Sequence, residues 1–160
     1  MRKREPLLQR LSYVLPLLAA LAVVYWGDTQ FPFLARRMIP GARWIAGTGI
    51  ALTAAGIGFA IWARYHIGRY WSGSVSLREG HQLVRSGPYA RIRHPIYTGI
   101  LTGLAGTFVA LGTYRELVVF LIIWAGFVMK SCREEALLSG EFGAAFDEHR
   151  RQTGFFLPRF

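Results

Sequence analysis

Residues 95–129 read PIYTGILTGLAGTFVALGTYRELVVFLIIWAGFVM, and their apolar pattern predicts the architecture of the chain. Two apolar runs, 95–112 and 117–129, are separated by a short polar connection. Because the connection is so short, the two runs are predicted to form an antiparallel helical hairpin. The second run has only 13 apolar residues, which is short for a bilayer crossing. Its helix is therefore expected to continue through Lys130 and the following Cys132-Arg133-Glu134-Glu135.

Two further apolar runs precede the hairpin, at residues 7–26 and 44–62. The first contains Pro16 and is read as a retained helix, since no small-x-small cleavage site follows it. The second has no ionisable residue and a tryptophan at each end, as interfacial anchors should be. Its glycines offer small faces for close helix contact. This packing role is favoured over the alternative, in which the glycines line a tunnel for the acceptor. The chain is therefore predicted to be an all-α integral membrane protein with about four transmembrane helices.

The distribution of charge supports the same topology. The chain has 18% charged residues, against about 25% in soluble domains. The N-terminal tail, residues 64–93 and the segment from Lys130 onward hold 15 of the 19 Lys and Arg residues. Basic loops stay in the cytoplasm, so both termini are predicted to be cytoplasmic in a multi-pass protein of the cell inner membrane. Topology thus accounts for the net charge of +10, and no nucleic acid partner is expected.

The hairpin brings two polar clusters to one depth. His94 lies 20 residues before Tyr114, at the hairpin tip, and Glu134 lies 20 residues after it. At the rise of an α-helix, both lie about 30 Å from the tip. Ionisable residues at such a depth are costly without a role. The sequence therefore predicts a polar cleft at the cytoplasmic end of the hairpin.

The residues around this cleft resemble a known family. Residues 81–99, HQLVRSGPYARIRHPIYTG, resemble the isoprenylcysteine carboxyl methyltransferase family in motif order and spacing. The likeness continues through residues 134–138, EEALL, and on to a late Leu157-Pro158. It covers about residues 64–158. Each motif is weak alone, but together in register they form a specific signal.

The resemblance implies a membrane methyltransferase that uses S-adenosyl-L-methionine in a cytoplasmic cofactor pocket. The positions matching the family's cofactor contacts are His81, Gln82, Leu83, Val84, Tyr89, His94, Pro95, Ile96, Tyr97 and Glu134. The family's substrate-side arginine falls at Lys130, a point charge without the bidentate fork of arginine. Arg93, Lys130 and Arg133 are the candidates for catalytic work on the acceptor.

Residues 1–63 are predicted to form an N-terminal two-span region and residues 64–160 the catalytic region of a single compact membrane domain. The soluble methyltransferase fold is not expected, because Leu52 stands where a Gly-x-Gly-x-x-Gly motif would need its third glycine. The four histidines and one cysteine show no metal-ligand spacing, so no metal is expected.

Several functions stay open at this point. The methyl acceptor could be a lipophilic carboxylate such as isoprenylcysteine, another prenylated substrate, or a lipid amine. One alternative is an NADPH-dependent membrane reductase of a sterol or lipid double bond, although 160 residues leave little room for the extra spans. The other is a non-catalytic membrane module whose polar clusters bind lipid headgroups.

Overall fold

A computed structural model describes residues 7–70 and 83–159 of the chain. Five helices follow one another: α1 (Leu7–Gln30), α2 (Arg43–Ile67), α3 (Pro95–Leu111), α4 (Tyr114–Phe142) and α5 (Ala144–Gln152). The all-α class is confirmed for the described residues. The first four helices occupy the positions of the four predicted spans. Helix α4 runs without a break through Lys130 to Phe142, as its short apolar part led us to expect.

Helices α2 and α3 lie so close that their backbones touch. A methyl group added to Gly56 would lie 2.6 Å from the carbonyl oxygen of Gly99, and one added to Gly49 would lie 2.6 Å from that of Gly106. Two helical turns separate Gly49 from Gly56, so the contact follows one face of α2. Small residues permit such approach between apolar helices. The packing role predicted for the glycines of α2 is confirmed for Gly49 and Gly56, whereas a Cβ at Gly47 or Gly58 would meet no described atom within 4 Å.

The hairpin between α3 and α4 turns at Gly112, whose φ of +68° belongs to the left-handed region that glycine adopts without strain. The carbonyl of Gly112 accepts hydrogen bonds from the backbone N–H of Met38 at 2.6 Å and of Ile39 at 3.1 Å. At the same end of the bundle, Arg115 of α4 forms an ion pair with Asp28 of α1 at 2.5 Å. The α1–α2 connection and the hairpin tip therefore lie together, opposite the end where α3 begins.

One helix of the described residues, Arg43–Ile67, is long and apolar enough to cross a membrane, and Pro95–Leu111 is a shorter apolar helix. Large apolar side chains of the first two helices are exposed, among them Leu15, Leu18, Ile50 and Trp62. Lipid contact would account for such exposure. The four-span topology, the inner-membrane location, the cytoplasmic termini and the division at residue 63 stay predictions.

The chain's last part returns to the start of α3. Helix α5 leads into residues 153–159, here called the C-terminal segment. The carbonyls of Gly154 and Phe155 accept hydrogen bonds from the backbone N–H of Arg93 (2.9 Å) and of His94 (3.3 Å). The hydroxyl of Thr98 donates to the Phe156 carbonyl at 2.7 Å. The C-terminal segment is thus bound to the residues that begin α3.

Candidate functional site

The turn at Gly87-Pro88-Tyr89-Ala90 is fixed by His66, at the end of α2. Gly87 has a φ of +58°, and a Cβ there would lie 2.6 Å from the His66 ring. His66 Nε2 and Ser86 Oγ lie 2.9 Å apart in a hydrogen bond, and the ring stacks on Tyr89 with 6.4 Å between centroids. Tyr89 is thereby held in a buried position. Sequence reasoning gave His66 no role, because it stands outside every motif and 20 residues before Ser86.

His94 precedes the first residue of α3, and its imidazole stands between two carboxylates. Its Nδ1 lies 3.6 Å from Glu134 and its Nε2 lies 3.2 Å from Glu135. Burial alone would lower the pKa of His94, but its hydrogen bonds to the two glutamates outweigh burial and raise that pKa above the ordinary value. The structure therefore favours a charged imidazolium that joins the start of α3 to α4.

Tyr97, on the first turn of α3, points to the same acids. Its hydroxyl donates to Glu134 Oε1 at 2.8 Å, and its ring stacks on Phe127 of α4 with centroids 4.5 Å apart. The ammonium of Lys130 lies 5.5 Å from the centre of that ring and 4.9 Å from the centre of the Tyr13 ring. Tyr97, Lys130 and Glu134 thus meet on one side of the α3–α4 pair. The expectation that the two clusters share one depth is confirmed.

The guanidinium of Arg93 is held by a carboxylate and by backbone carbonyls of the protein. Its Nε donates to Glu135 at 2.6 Å, where the side chains are 10% and 12% exposed. Its Nη1 donates to the carbonyl of Arg150 at 3.2 Å and also to the carbonyl of Thr153. These bonds tie the C-terminal segment to α4. The work on the acceptor that sequence analysis assigned to Arg93 stays a prediction, beside this anchoring position.

Glu135 is the residue that sequence analysis undervalued. The two adjacent acids were both noted, but only Glu134 was assigned a site role. In the structure the carboxylate of Glu135 forms hydrogen bonds with the side chains of both Arg93 and His94. Charged groups buried to this degree are usually paired in this way. The sequence did contain a signal for this role. Two adjacent basic residues, Arg93 and His94, are matched by two adjacent acids, Glu134 and Glu135, and not by one.

The other predicted site residues are placed as follows. Pro95 is fully buried at the first position of α3 and Ile96 is partly buried beside it. Leu83 and Val84 are partly buried in the stretch that leads to the turn at Gly87, and Arg133 lies on α4 one turn after Lys130. His81 and Gln82 lie outside the described residues. The cofactor roles of this set remain predictions.

The polar groups of the site suit a ligand that carries hydroxyl and ammonium groups. Glu134 accepts one hydrogen bond from Tyr97 and lies near His94, while a carboxylate has room for about four. The rings of Tyr13 and Tyr97 face the Lys130 ammonium at 4.9 and 5.5 Å, so aromatic faces, a cation and a carboxylate stand together here. Within residues 7–70 and 83–159, no group of three or more His, Cys, Asp or Glu side chains could hold a metal ion. The chemistry of these residues fits S-adenosyl-L-methionine.

Several known proteins have sequences similar to this chain. The protein-S-isoprenylcysteine O-methyltransferase of Schizosaccharomyces pombe is 34% identical over 79 residues, 49% of this chain and 34% of that protein. A homologous methyltransferase of Arabidopsis thaliana, form B, is 29% identical over 125 residues, 74% of this chain and 64% of that protein. A nickel-cobalt-cadmium resistance protein of Alcaligenes xylosoxydans xylosoxydans is 32% identical over 124 residues, 72% of this chain and 53% of that protein.

A solved structure shares the fold. The eukaryotic intramembrane Ras methyltransferase superposes with a TM-score of 0.64 at 23% identity, over 91% of this chain and 52% of that one. The chain spans between 34% and 64% of the length of the three curated relatives above. The family model for isoprenylcysteine carboxyl methyltransferases matches residues 49–139, more than half of the chain and the whole of α3. The motifs of residues 81–99, the acids of α4 and this match have one explanation: the chain belongs to the isoprenylcysteine carboxyl methyltransferase family.

Proposed function

We propose that this protein transfers a methyl group from S-adenosyl-L-methionine to a lipophilic acid, such as a prenylated cysteine with a free carboxylate. The observation that carries the proposal is the meeting of Tyr97, Lys130 and Glu134 at one end of the α3–α4 hairpin. An acid, a hydroxyl and a cation converge there in a chain that belongs to this family. Such a set can hold both a cofactor and an acidic acceptor.

Glu134 is the residue we assign to cofactor binding with most support. Its carboxylate can accept hydrogen bonds from hydroxyl or ammonium groups, and its contacts with Tyr97 and His94 fix its direction. When bound, S-adenosyl-L-methionine supplies an electrophilic methyl group on a sulfonium. Tyr89, His94 and the residues around them would form the wall of the pocket, together with the matched positions at residues 81–84.

Lys130 is assigned to the acceptor. Its ammonium, held over the rings of Tyr13 and Tyr97, can attract a carboxylate through its charge and its three donor hydrogens. A carboxylate needs no strong base to act as a nucleophile toward an activated methyl group. The protein's work is then to align the acceptor and to keep water from the site.

The same proposal includes the position in the membrane. We place α1 to α4 across the inner membrane with both termini in the cytoplasm, because the described basic residues of 83–93 and 150–159 lie at the end of the hairpin that carries the site. The acceptor's carboxylate then lies at the level of the lipid headgroups, and its apolar tail lies in the bilayer. A lipid-anchored acid can satisfy both environments at once.

Binding to the purified protein tests the first part of the proposal. The full chain in detergent micelles is titrated by calorimetry with S-adenosylhomocysteine and, separately, with NADPH. We expect the first to bind and the second not to bind. NADPH binding alone would support the reductase, and binding of neither would support a non-catalytic lipid module.

Two substitutions test the residue assignments. Glu134→Gln should weaken S-adenosylhomocysteine binding by about 10- to 100-fold, because hydrogen bonds to a charged acceptor contribute about 1.5–3 kcal/mol. Glu141→Gln, at an exposed position near the end of the same helix, is the matched control and should leave binding unchanged. Lys130→Gln should raise the KM for a prenylated cysteine acid, whereas Lys130→Arg should retain activity. Equal binding by the Glu134 and Glu141 variants would contradict the cofactor assignment.

A further inference from the structure

A concave region lies beside the residues proposed for methyl transfer. A groove of about 880 Å³ runs between α3, α4 and the C-terminal segment. Leu101 and Ala105 of α3, Phe120 and Trp124 of α4, and Leu157 of the C-terminal segment line its apolar walls. Its volume lies within the range of about 300–1,000 Å³ typical of ligand pockets.

His94 separates this groove from the site. Its ring makes edge contacts with Phe155 and Phe156, at centroid distances of 5.0 and 6.1 Å, and both phenylalanines line the groove. The same ring stacks on Tyr97 at 5.8 Å. Tyr97 and Glu134 do not line the groove. A molecule in the groove would therefore lie behind the imidazole, away from the acid and cation of the proposed site.

One end of the groove is basic. Arg93, Arg150 and Arg159 line it, and none of the described lining residues is acidic. Arg93 is compensated by Glu135 at 2.6 Å, whereas Arg150 lies 3.9 Å from that acid and its side chain is 61% exposed. The backbone N–H of Arg159 binds the Arg91 carbonyl, which keeps this arginine near the start of α3. Arg150, whose pairing with Glu135 is long and exposed, and Arg159 are thus placed to attract an external anion.

The apolar part of the groove extends away from these arginines. Ala105 lies ten residues after Pro95, about 15 Å along α3. If α3 and α4 cross the bilayer as proposed above, the basic end lies at the headgroups and the apolar part lies in the hydrocarbon. An anion at one end and a hydrocarbon chain at the other are the features of an anionic lipid.

We infer that this groove binds one phospholipid with an anionic headgroup. Its phosphate would lie between Arg150 and Arg159, since guanidinium groups bind phosphate through two parallel hydrogen bonds. One acyl chain would lie along Leu101, Ala105 and Trp124. The position of the lipid in the membrane rests on the proposed topology, but the binding of a lipid by these residues does not depend on methyl transfer.

The test is a comparison of two lipids with the same acyl chains. The full chain in nonionic detergent is titrated with dioleoyl phosphatidylglycerol or dioleoyl phosphatidylcholine, and bound lipid is counted by native mass spectrometry. Each basic residue near an anionic membrane surface contributes about a fivefold gain in affinity (about 1 kcal/mol). We therefore expect the anionic lipid to bind about 30-fold more tightly than the zwitterionic one.

Variants locate the effect. The double variant Arg150→Gln, Arg159→Gln should lose the preference for the anionic lipid, whereas Arg151→Gln should keep it. Arg151 is the matched control, because it lies on the same helix, is 73% exposed and pairs with Glu148. Ala105→Trp should reduce the binding of both lipids by filling the apolar part of the groove. Should that variant fail to fold, the arginine variants still decide the question.

Three results would overturn the inference: equal affinity for the two lipids, an equal loss in the Arg151 variant, or equally tight binding of glycerol phosphate, which has no acyl chain. The third would assign the basic end to a free phosphate compound. Titration of the same variants with S-adenosylhomocysteine separates this inference from the proposed function. If the wild-type protein binds S-adenosylhomocysteine but shows no preference for the anionic lipid, the lipid site is wrong and the proposed function is unaffected.

Discussion

Replacement of Glu135 by glutamine tests whether the buried network of Arg93, His94 and the two acids holds the site together. Glu135 is 12% exposed and lies 2.6 Å from Arg93 and 3.2 Å from His94. Loss of its charge leaves Arg93, His94 and the more distant Arg150 with Glu134 as the remaining acid of the pair. Breaking a buried ion pair by removing one partner costs about 3–5 kcal/mol. Glutamine keeps one acceptor oxygen, so we expect a loss of about 2–3 kcal/mol in the free energy of unfolding.

The assay is equilibrium unfolding, in which sodium dodecyl sulfate is titrated into nonionic micelles and tryptophan fluorescence is followed. Glu148→Gln is the control, because this exposed acid of α5 also pairs with an arginine and its loss should leave stability unchanged. Glu135→Gln should also weaken S-adenosylhomocysteine binding, but by less than Glu134→Gln does. The reason is that Glu135 affects the cofactor only by holding His94 in position. It is therefore a positioning residue.

A double-mutant cycle makes the result specific. Arg93→Gln, Glu135→Gln and the double variant should show an interaction energy of about 1–3 kcal/mol, as for residues in one buried network. Single effects that add without interaction would show that Arg93 and Glu135 do not belong to one network. A loss of stability for Glu135→Gln no larger than that for Glu148→Gln would show the same.

Two further predictions concern the helix contact and pH. Gly56→Ala should destabilise the protein by about 1–3 kcal/mol through overpacking, because the new methyl would lie 2.6 Å from a backbone oxygen of α3. Gly58→Ala, where a Cβ meets no described atom within 4 Å, should not destabilise it, and equal losses in detergent unfolding would contradict the close contact. The raised pKa of His94 means that the folded state favours its charged form. This contribution is complete below the ordinary value of 6.5 and is lost as pH rises through the raised pKa. Stability should therefore fall over that range in the wild type and less steeply in His94→Gln; parallel curves would show that this histidine is not the group responsible.

The parts of the fold that the sequence predicted are those set by one-dimensional rules. Apolar runs ended by tryptophans or charges located the helices, because burial in lipid leaves few other choices. The meeting of His94 with Glu134 followed from the fixed rise of an α-helix on both sides of Tyr114. Neither inference required knowledge of which helix faces which.

Other features depend on tertiary contacts that no local pattern encodes. The sequence of α2 has glycines on more than one face, and only the structure distinguishes Gly56, against α3, from Gly58, which meets no described atom within 4 Å. The anchoring of Arg93 could not be predicted, because it requires the C-terminal segment to return to the start of α3. Glu135 was noted in the sequence, but its pairing with Arg93 and His94 depends on how the start of α3 packs against α4.

The backbone contact between α2 and α3 restricts how an acceptor can arrive. Glycines of the two helices approach to the limit of backbone packing at Gly49 and again at Gly56. A hydrocarbon tail is far wider than any space left along this seam, so the seam is closed to lateral traffic from the bilayer. Under the proposed function, a lipid-tailed acid would therefore reach the site away from this seam, for example beside Tyr13 and Lys130.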